Sequence, residues 1–112
     1  MLRLGVLAST RATDMQAIID AISSKKLNAV ISVVVSDKQD SYALERARNH
    51  DIKAVFIDTK GKERQVFDKE VAKVLEQNKA DLILLIGYMR ILSPWLENKY
   101  KNKIMNIHPS LL

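Results

Sequence analysis

The chain has 112 residues, 47% of them hydrophobic and 28% charged, with only 3 Gly and 2 Pro; that is the balance of one packed domain, not of a disordered or fibrous chain. It has no Cys, which excludes disulfides, thiolate metal sites and Cys nucleophiles and fits a reducing compartment, so the cytoplasm is the expected location. The formal net charge of +5 comes from Lys and Arg spread along the sequence without interleaved aromatics, which reads as a solvated surface and not as a nucleic-acid footprint.

In chain order, the first element is the apolar run Leu2 to Ala8, a strand too short and too soon interrupted by Arg11 to act as a signal peptide. The hydroxyl-rich turn Ser9 to Thr13 follows it. Met15, Ile18, Ile19 and Ile22 then fall at i, i+3, i+4 and i+7, the stripe of an amphipathic helix. Thr13 with Gln16 three residues later has the pattern of a capping box, which predicts a helix start at Thr13 or Asp14. Ala29 to Val35 is rich in Val and Ile without strict alternation, as in a strand buried on both faces of a parallel sheet. Ser41 to Asn49 predicts a short helix with Ala43, Leu44 and Ala47 inward, and Lys53 to Ile57 a third strand. A longer helix is expected from Glu63 to Gln77, with Phe67, Val71, Val74 and Leu75 on one stripe. Ala80 to Ile86 is the most apolar strand, stopped by Gly87, and its core Leu82 to Ile86 falls far short of the ~20 residues needed to cross a bilayer. Ser93 and Pro94 suit the N-cap and first turn of a helix running to about Tyr100. Lys103 to Ile107 is the fifth strand.

Strands alternating with helices in this way predict a doubly wound parallel α/β sheet with right-handed crossovers and strand order 3-2-1-4-5. Ligands in such sheets bind beyond the carboxyl ends of the strands where the order reverses. Three turns are therefore nominated: Ser9 to Asp14, Gly87 to Leu92, and His108 to Ser110. The first could hold an anion on the free N–H groups of the following helix, although it lacks the glycines of a dinucleotide fingerprint, and simple helix capping explains it equally well. In the second, Arg90 among Tyr88, Met89, Ile91 and Leu92 could hold a planar ring or carboxylate, or could reach solvent while its neighbours pack. In the third, Asn106, His108 and Ser110 alternate, so a continuing strand would aim them to one side; an Asn amide can donate to a developing oxyanion and a His can move a proton near neutral pH. That pair suits acyl or formyl transfer, although His108 taken alone reads more simply as a satisfied histidine at a strand end. His50, between Asn49 and Asp51, reads as a surface residue. Two His without a carboxylate at ligand spacing give no metal site, and the absence of a G-x-S-x-G elbow argues against a Ser nucleophile.

The stretches MQAIIDAI, LERAR, GYMRILSP and NIHPSLL, in this order over nearly the whole chain, resemble the glycinamide ribonucleotide formyltransferase family. NIHPSLL marks the wider formyltransferases, which include methionyl-tRNA formyltransferase and formyltetrahydrofolate deformylase; GYMRIL and LERAR point to the purine enzymes. The resemblance implies transfer of a formyl group from the co-substrate 10-formyltetrahydrofolate to the amine of glycinamide ribonucleotide, without a metal. It implies a catalytic pair, with His108 as proton donor and Asn106 holding the formyl oxygen. It also implies a folate-binding set of Arg64, Met89, Arg90, Ile91, Leu92 and Asn106, and a substrate-phosphate loop of Ala12, Thr13 and Asp14. That loop departs from the family: STRATD stands where a glycine-rich stretch ending in Ser-Asn is usual, which places Cβ atoms and the Asp14 carboxylate where phosphate should approach. The family also carries an aspartate beyond NIHPSLL that tunes the catalytic histidine. Residues 1-112 are thus expected to be the amino-terminal part of a formyltransferase domain, cut after the fifth strand, whose uncovered edge would favour a homodimer. The rival readings are a catalytically inactive α/β binding domain and another folate-dependent formyltransferase or deformylase.

Overall fold

A computed structural model describes residues 1–107. Five strands, β1 (Leu2–Ala8), β2 (Ala29–Ser36), β3 (Ala54–Phe56), β4 (Leu82–Ile86) and β5 (Ile104–Ile107), alternate with four helices, α1 (Thr13–Ser23), α2 (Tyr42–Asn49), α3 (Arg64–Gln77) and α4 (Pro94–Lys99). The sheet order is β3-β2-β1-β4-β5, and every neighbouring pair is parallel. This is the doubly wound arrangement expected from the alternation of periodicities, and its order reverses between β1 and β4.

Each face of the sheet buries its own core. On one, Leu4, Val6 and Ala8 of β1 pack with Met15 and Ile19 of α1 and with Ala43, Leu44 and Ala47 of α2. On the other, Leu7 packs with Val33 and Val35 of β2, with Phe67, Val71 and Leu75 of α3, and with Leu96 of α4. The run of Val and Ile in β2 is buried on both faces, as its missing alternation predicts, and one irregularity shifts its pairing. The β1–β2 register runs Leu4↔Ile31 and then Gly5↔Val33, so the strand bulges at Ser32 and its side-chain parity flips. Ile31 and Val34 consequently share one face while Val33 and Val35 share the other. Gly5 is required where α3 presses closest to the sheet: a Cβ there would lie 2.5 Å from Leu75 Cδ2 and 3.0 Å from Ala80 Cβ.

The capping box expected at the start of α1 does not form. Ala12 is the N-cap residue, in the left-handed conformation (φ 52°, ψ 48°), and no side chain caps the helix. Gln16 is engaged elsewhere: its amide donates to Asp20 Oδ1 at 3.0 Å, and its carbonyl oxygen accepts from Arg46 of α2 at 2.9 Å. The cap expected at Ser93 is present, and Ser41, for which none was expected, caps its helix as well. Ser41 Oγ accepts from the Ala43 N–H, and Ser93 Oγ accepts from the Leu96 N–H. α4 is one residue shorter than the sequence pattern suggested, ending at Lys99 with Tyr100 as its C-cap.

Candidate functional site

The reversal between β1 and β4 brings the turns after these strands side by side, and side chains and backbone fasten them together. The Ser9 N–H donates to Gly87 O at 3.1 Å, and Thr10 Oγ1 donates to the same carbonyl at 3.4 Å. Ser9 Oγ donates to Asp37 Oδ1 at 2.6 Å and accepts from the Met89 N–H at 2.9 Å. One buried hydroxyl therefore joins the ends of β1, β2 and β4. Gly87 has φ 59°, and a Cβ at this position would press on Thr10 Oγ1. Here glycine answers both the backbone conformation and the close approach of the first turn.

The first turn opens on a cleft of about 370 Å³ lined by Thr10, Arg11, Ala12, Thr13, Asp14, Ile86 and Gly87. The predicted phosphate-loop residues thus lie together at its wall. No acceptor among the described residues meets the Thr13 and Asp14 N–H groups, as expected at an uncapped helix start, so they are free to meet an anion. Ala12 takes up the left-handed turn that a glycine-rich loop would adopt without strain. The Asp14 carboxylate shares the cleft and opposes an anion there.

In the second turn, the Met89 and Ile91 side chains are 72% and 71% exposed, while Arg90 and Leu92 are half-buried. The Arg90 guanidinium stacks on the Phe67 ring of α3, with Cζ 4.2 Å from the ring centroid, so one of its faces is covered while the side chain stays half-buried at the cleft. Leu85, Arg90, Ile91 and Leu92 line a cleft of about 530 Å³ that continues to Tyr100 and Ile104. Two polar groups beneath the turn, Tyr88 Oη and Arg90 Nε, are buried without a hydrogen-bond partner among the described residues. Burial raises the Tyr88 pKa well above the usual tyrosine range; the carboxylates of Asp37 and Asp68 push it the same way, against the opposing charge of Arg90. Asp68 is 1% exposed and accepts from the Ser93 N–H at 2.6 Å.

The remaining predicted residues are placed less closely. Arg64 is the first residue of α3 and exposed, one turn before Asp68. Asn106 is exposed on β5, in register with Leu85 of β4. His108, with the rest of the third turn, lies outside the described residues, so the alternation of Asn106, His108 and Ser110 cannot be followed past Ile107. His50 is exposed at the C-cap of α2, a surface residue as read. No group of three or more potential metal ligands occurs among the described residues, and no helix among them is long and apolar enough to cross a membrane.

Asp37 and Asp68 were not singled out from the sequence, and Ser9 and Tyr88 were named only as members of their turns. Asp68 did carry a signal, since it sits beside Phe67 and three residues before Val71 on the buried stripe of α3, and a carboxylate at a core position calls for a dedicated donor.

Comparison with known proteins agrees with this arrangement. The formyl transferase family model matches residues 2–112. The chain is 41% identical over 113 residues to the phosphoribosylglycinamide formyltransferase of Haemophilus influenzae, covering 100% of the chain and 53% of that protein. To the Escherichia coli enzyme of the same name it is 38% identical over 108 residues, covering 96% and 51% respectively. The crystal structure of glycinamide ribonucleotide transformylase 1 from Symbiobacterium toebii superimposes with a TM-score of 0.93 at 38% identity, over 97% of this chain and 52% of that one. The chain therefore spans about half the length of the relatives it matches. With its sheet order, its paired turns and its sequence in agreement, this chain belongs to the formyl transferase family.

Proposed function

We propose that the chain supplies the amino-terminal part of a phosphoribosylglycinamide formyltransferase, which moves a formyl group from 10-formyltetrahydrofolate to the amine of glycinamide ribonucleotide in purine biosynthesis. The observation that carries the reading is the pairing, at one switch point, of an amide-lined anion turn with an apolar turn. Substrate phosphate binds the Ala12, Thr13 and Asp14 amides. The folate lies against Met89, Arg90, Ile91 and Leu92, with Arg64 on its flank; Met89 and Ile91 offer the apolar surface a ring requires. As the substrate amine attacks the formyl carbon, charge develops on the formyl oxygen, and the Asn106 amide donates to it. His108 moves the proton. No step calls for a metal. The cytoplasm, the usual setting of a protein without Cys, is the proposed location, and a homodimer the proposed assembly.

The test is a single-turnover assay at high protein concentration with 10-formyltetrahydrofolate and glycinamide ribonucleotide, on the chain alone and on the chain joined to the remaining half of the Haemophilus influenzae relative. The joined protein is expected to transfer formyl and the chain alone to do so poorly, because one wall of a cleft holds reactants loosely. In the joined protein, His108→Ala should cost about 10²- to 10⁴-fold in rate and Asn106→Ala about 10²- to 10³-fold. Normal turnover in both variants would mean that the chemistry lies at another turn.

A further inference from the structure

The Met89 to Leu92 segment is held near both ends by side chains that accept hydrogen bonds from the backbone. At its start, the Met89 N–H donates to Ser9 Oγ at 2.9 Å, and that hydroxyl is itself fixed by donating to Asp37 Oδ1 at 2.6 Å. Just past its end, the Ser93 N–H donates to Asp68 Oδ2 at 2.6 Å. Ser9, Asp37 and Asp68 are all buried, so none of them presents a surface to a ligand. Between the two anchors the segment carries two nearly bare apolar side chains, Met89 and Ile91, which have few contacts of their own to hold them. Arg90 on Phe67 and Leu92 on the core hold two of its side chains, but the backbone that sets the direction of Met89 and Ile91 is tied by these hydrogen bonds, and one to a carboxylate is the stronger kind.

We propose that Ser9 and Asp68 are positioning residues that preset the backbone of the Met89 to Leu92 segment for the folate, with Asp37 holding the Ser9 hydroxyl in place. The inference rests on reading that segment as the folate site. It adds a division of labour: Asp68 acts on the folate side alone, whereas Ser9 belongs to the first turn as well, through its own N–H on Gly87 O at 3.1 Å, and so couples the two turns.

The experiment uses the 112-residue chain, labelled for amide NMR, with 5-formyltetrahydrofolate and inorganic phosphate as separate probes. In the wild type the Ser93 and Met89 amides should exchange slowly with solvent, and the folate should shift the Met89 to Leu92 signals. Asp68→Ala should speed Ser93 exchange at least about tenfold and weaken folate binding about 10- to 100-fold, the range for loss of a hydrogen bond to a charged group. The phosphate-induced shifts of Thr13 and Asp14 should be unchanged. Asp68→Asn keeps an acceptor oxygen and should restore folate binding to within about threefold of the wild type. Ser9→Ala should alter both responses. If Asp68→Ala fails to fold, Asp68→Asn and Ser9→Ala decide the matter: equal folate and phosphate responses in wild type and Ser9→Ala overturn the inference. So does unchanged folate affinity in a folded Asp68→Ala chain, and neither result touches the functional reading. A wild-type chain whose signals the folate does not move overturns the reading of the segment as a folate site, and the inference with it.

Discussion

The two turns at the carboxyl edge are neighbours built on opposite plans. The turn after β1 leaves donors open: α1 begins without a side-chain cap, and Ala12 bends the backbone at φ 52°. The turn after β4 leaves no such slack, with the Met89 and Ser93 N–H groups taken by Ser9 and Asp68 and with Arg90 laid on Phe67. The difference matches what the proposed function asks of each. An anion is bound by unsatisfied backbone donors, so a cap would compete with it. A ring is bound by shape and apolar surface, which is useful only when the backbone beneath does not move.

The largest break in this comparison is expected from Phe67→Ala. The ring is fully buried among Leu7, Val71 and Leu75 and carries the Arg90 guanidinium. Its loss should cost about 3–5 kcal/mol of unfolding free energy, read from the urea midpoint. The damage should fall on the second turn: Met89 to Leu92 amide signals should move or broaden while the phosphate response of Thr13 and Asp14 persists at urea concentrations where the chain is still folded. Equal loss in both turns would show that they are one unit rather than two.

A smaller effect probes the floor of the second turn by pH. The Tyr88 proton is held more tightly in the folded chain, because burial and the Asp37 and Asp68 carboxylates disfavour the phenolate. The unfolded chain can release that proton near the ordinary value of 10.0 while the folded one cannot, so this contribution to stability is complete below that pH and is lost as pH rises through and beyond it. Tyr88→Phe should flatten the alkaline fall. Tyr100, whose pKa burial raises in the same direction, leaves a residual slope. At neutral pH the same variant should be neutral or stabilising by about 1 kcal/mol, since it removes a buried hydroxyl that has no described partner. Urea melts at neutral and alkaline pH check both statements, and an unchanged alkaline slope would count against a protonated, buried Tyr88.

How far the sequence reveals this architecture depends on whether a feature is local. Leu2 to Ala8 and Leu82 to Ile86 are strands by run length and composition, and the β-α alternation alone implies their adjacency at the switch point. The Ser93 cap was readable because a cap is a contact within three residues, and the one at Ser41 could have been read the same way. The same logic failed at Thr13 and Gln16, where Arg46, 30 residues away, competes for the Gln16 carbonyl. The Ser32 bulge was not legible, because the missing alternation in β2 is already explained by burial on both faces. The anchors of the second turn were not legible, because the Ser9–Met89 and Asp68–Ser93 contacts span 80 and 25 residues. Local periodicity carries no record of such pairings. Of the catalytic pair implied by resemblance, Asn106 is found on β5 while His108 lies outside the described residues.

The smallest stability change, and the sharpest probe of the first turn, is expected from Ala12→Gly. At φ 52° a Cβ costs about 1–2 kcal/mol in the left-handed region, which glycine would remove. Against this, glycine gives the unfolded chain more freedom to lose, about 0.5–1 kcal/mol. The Ala12 methyl is also packed in the core with Met15 and Ala8, and giving up one buried carbon costs about 0.8 kcal/mol. The contributions nearly cancel, so the urea midpoint should hardly move. The phosphate response should move, because glycine holds the left-handed turn without strain and lets the Thr13 and Asp14 amides settle on an anion; tighter phosphate binding at unchanged stability is the expected pair of results. Asp14→Asn should add to it by removing the carboxylate that shares the cleft. If Ala12→Gly instead destabilises the chain by more than about 2 kcal/mol with no gain in phosphate binding, then Ala12 serves the core and not an anion. The open donors of the first turn would then be an ordinary frayed helix start, and the contrast with the second turn would lose its functional meaning.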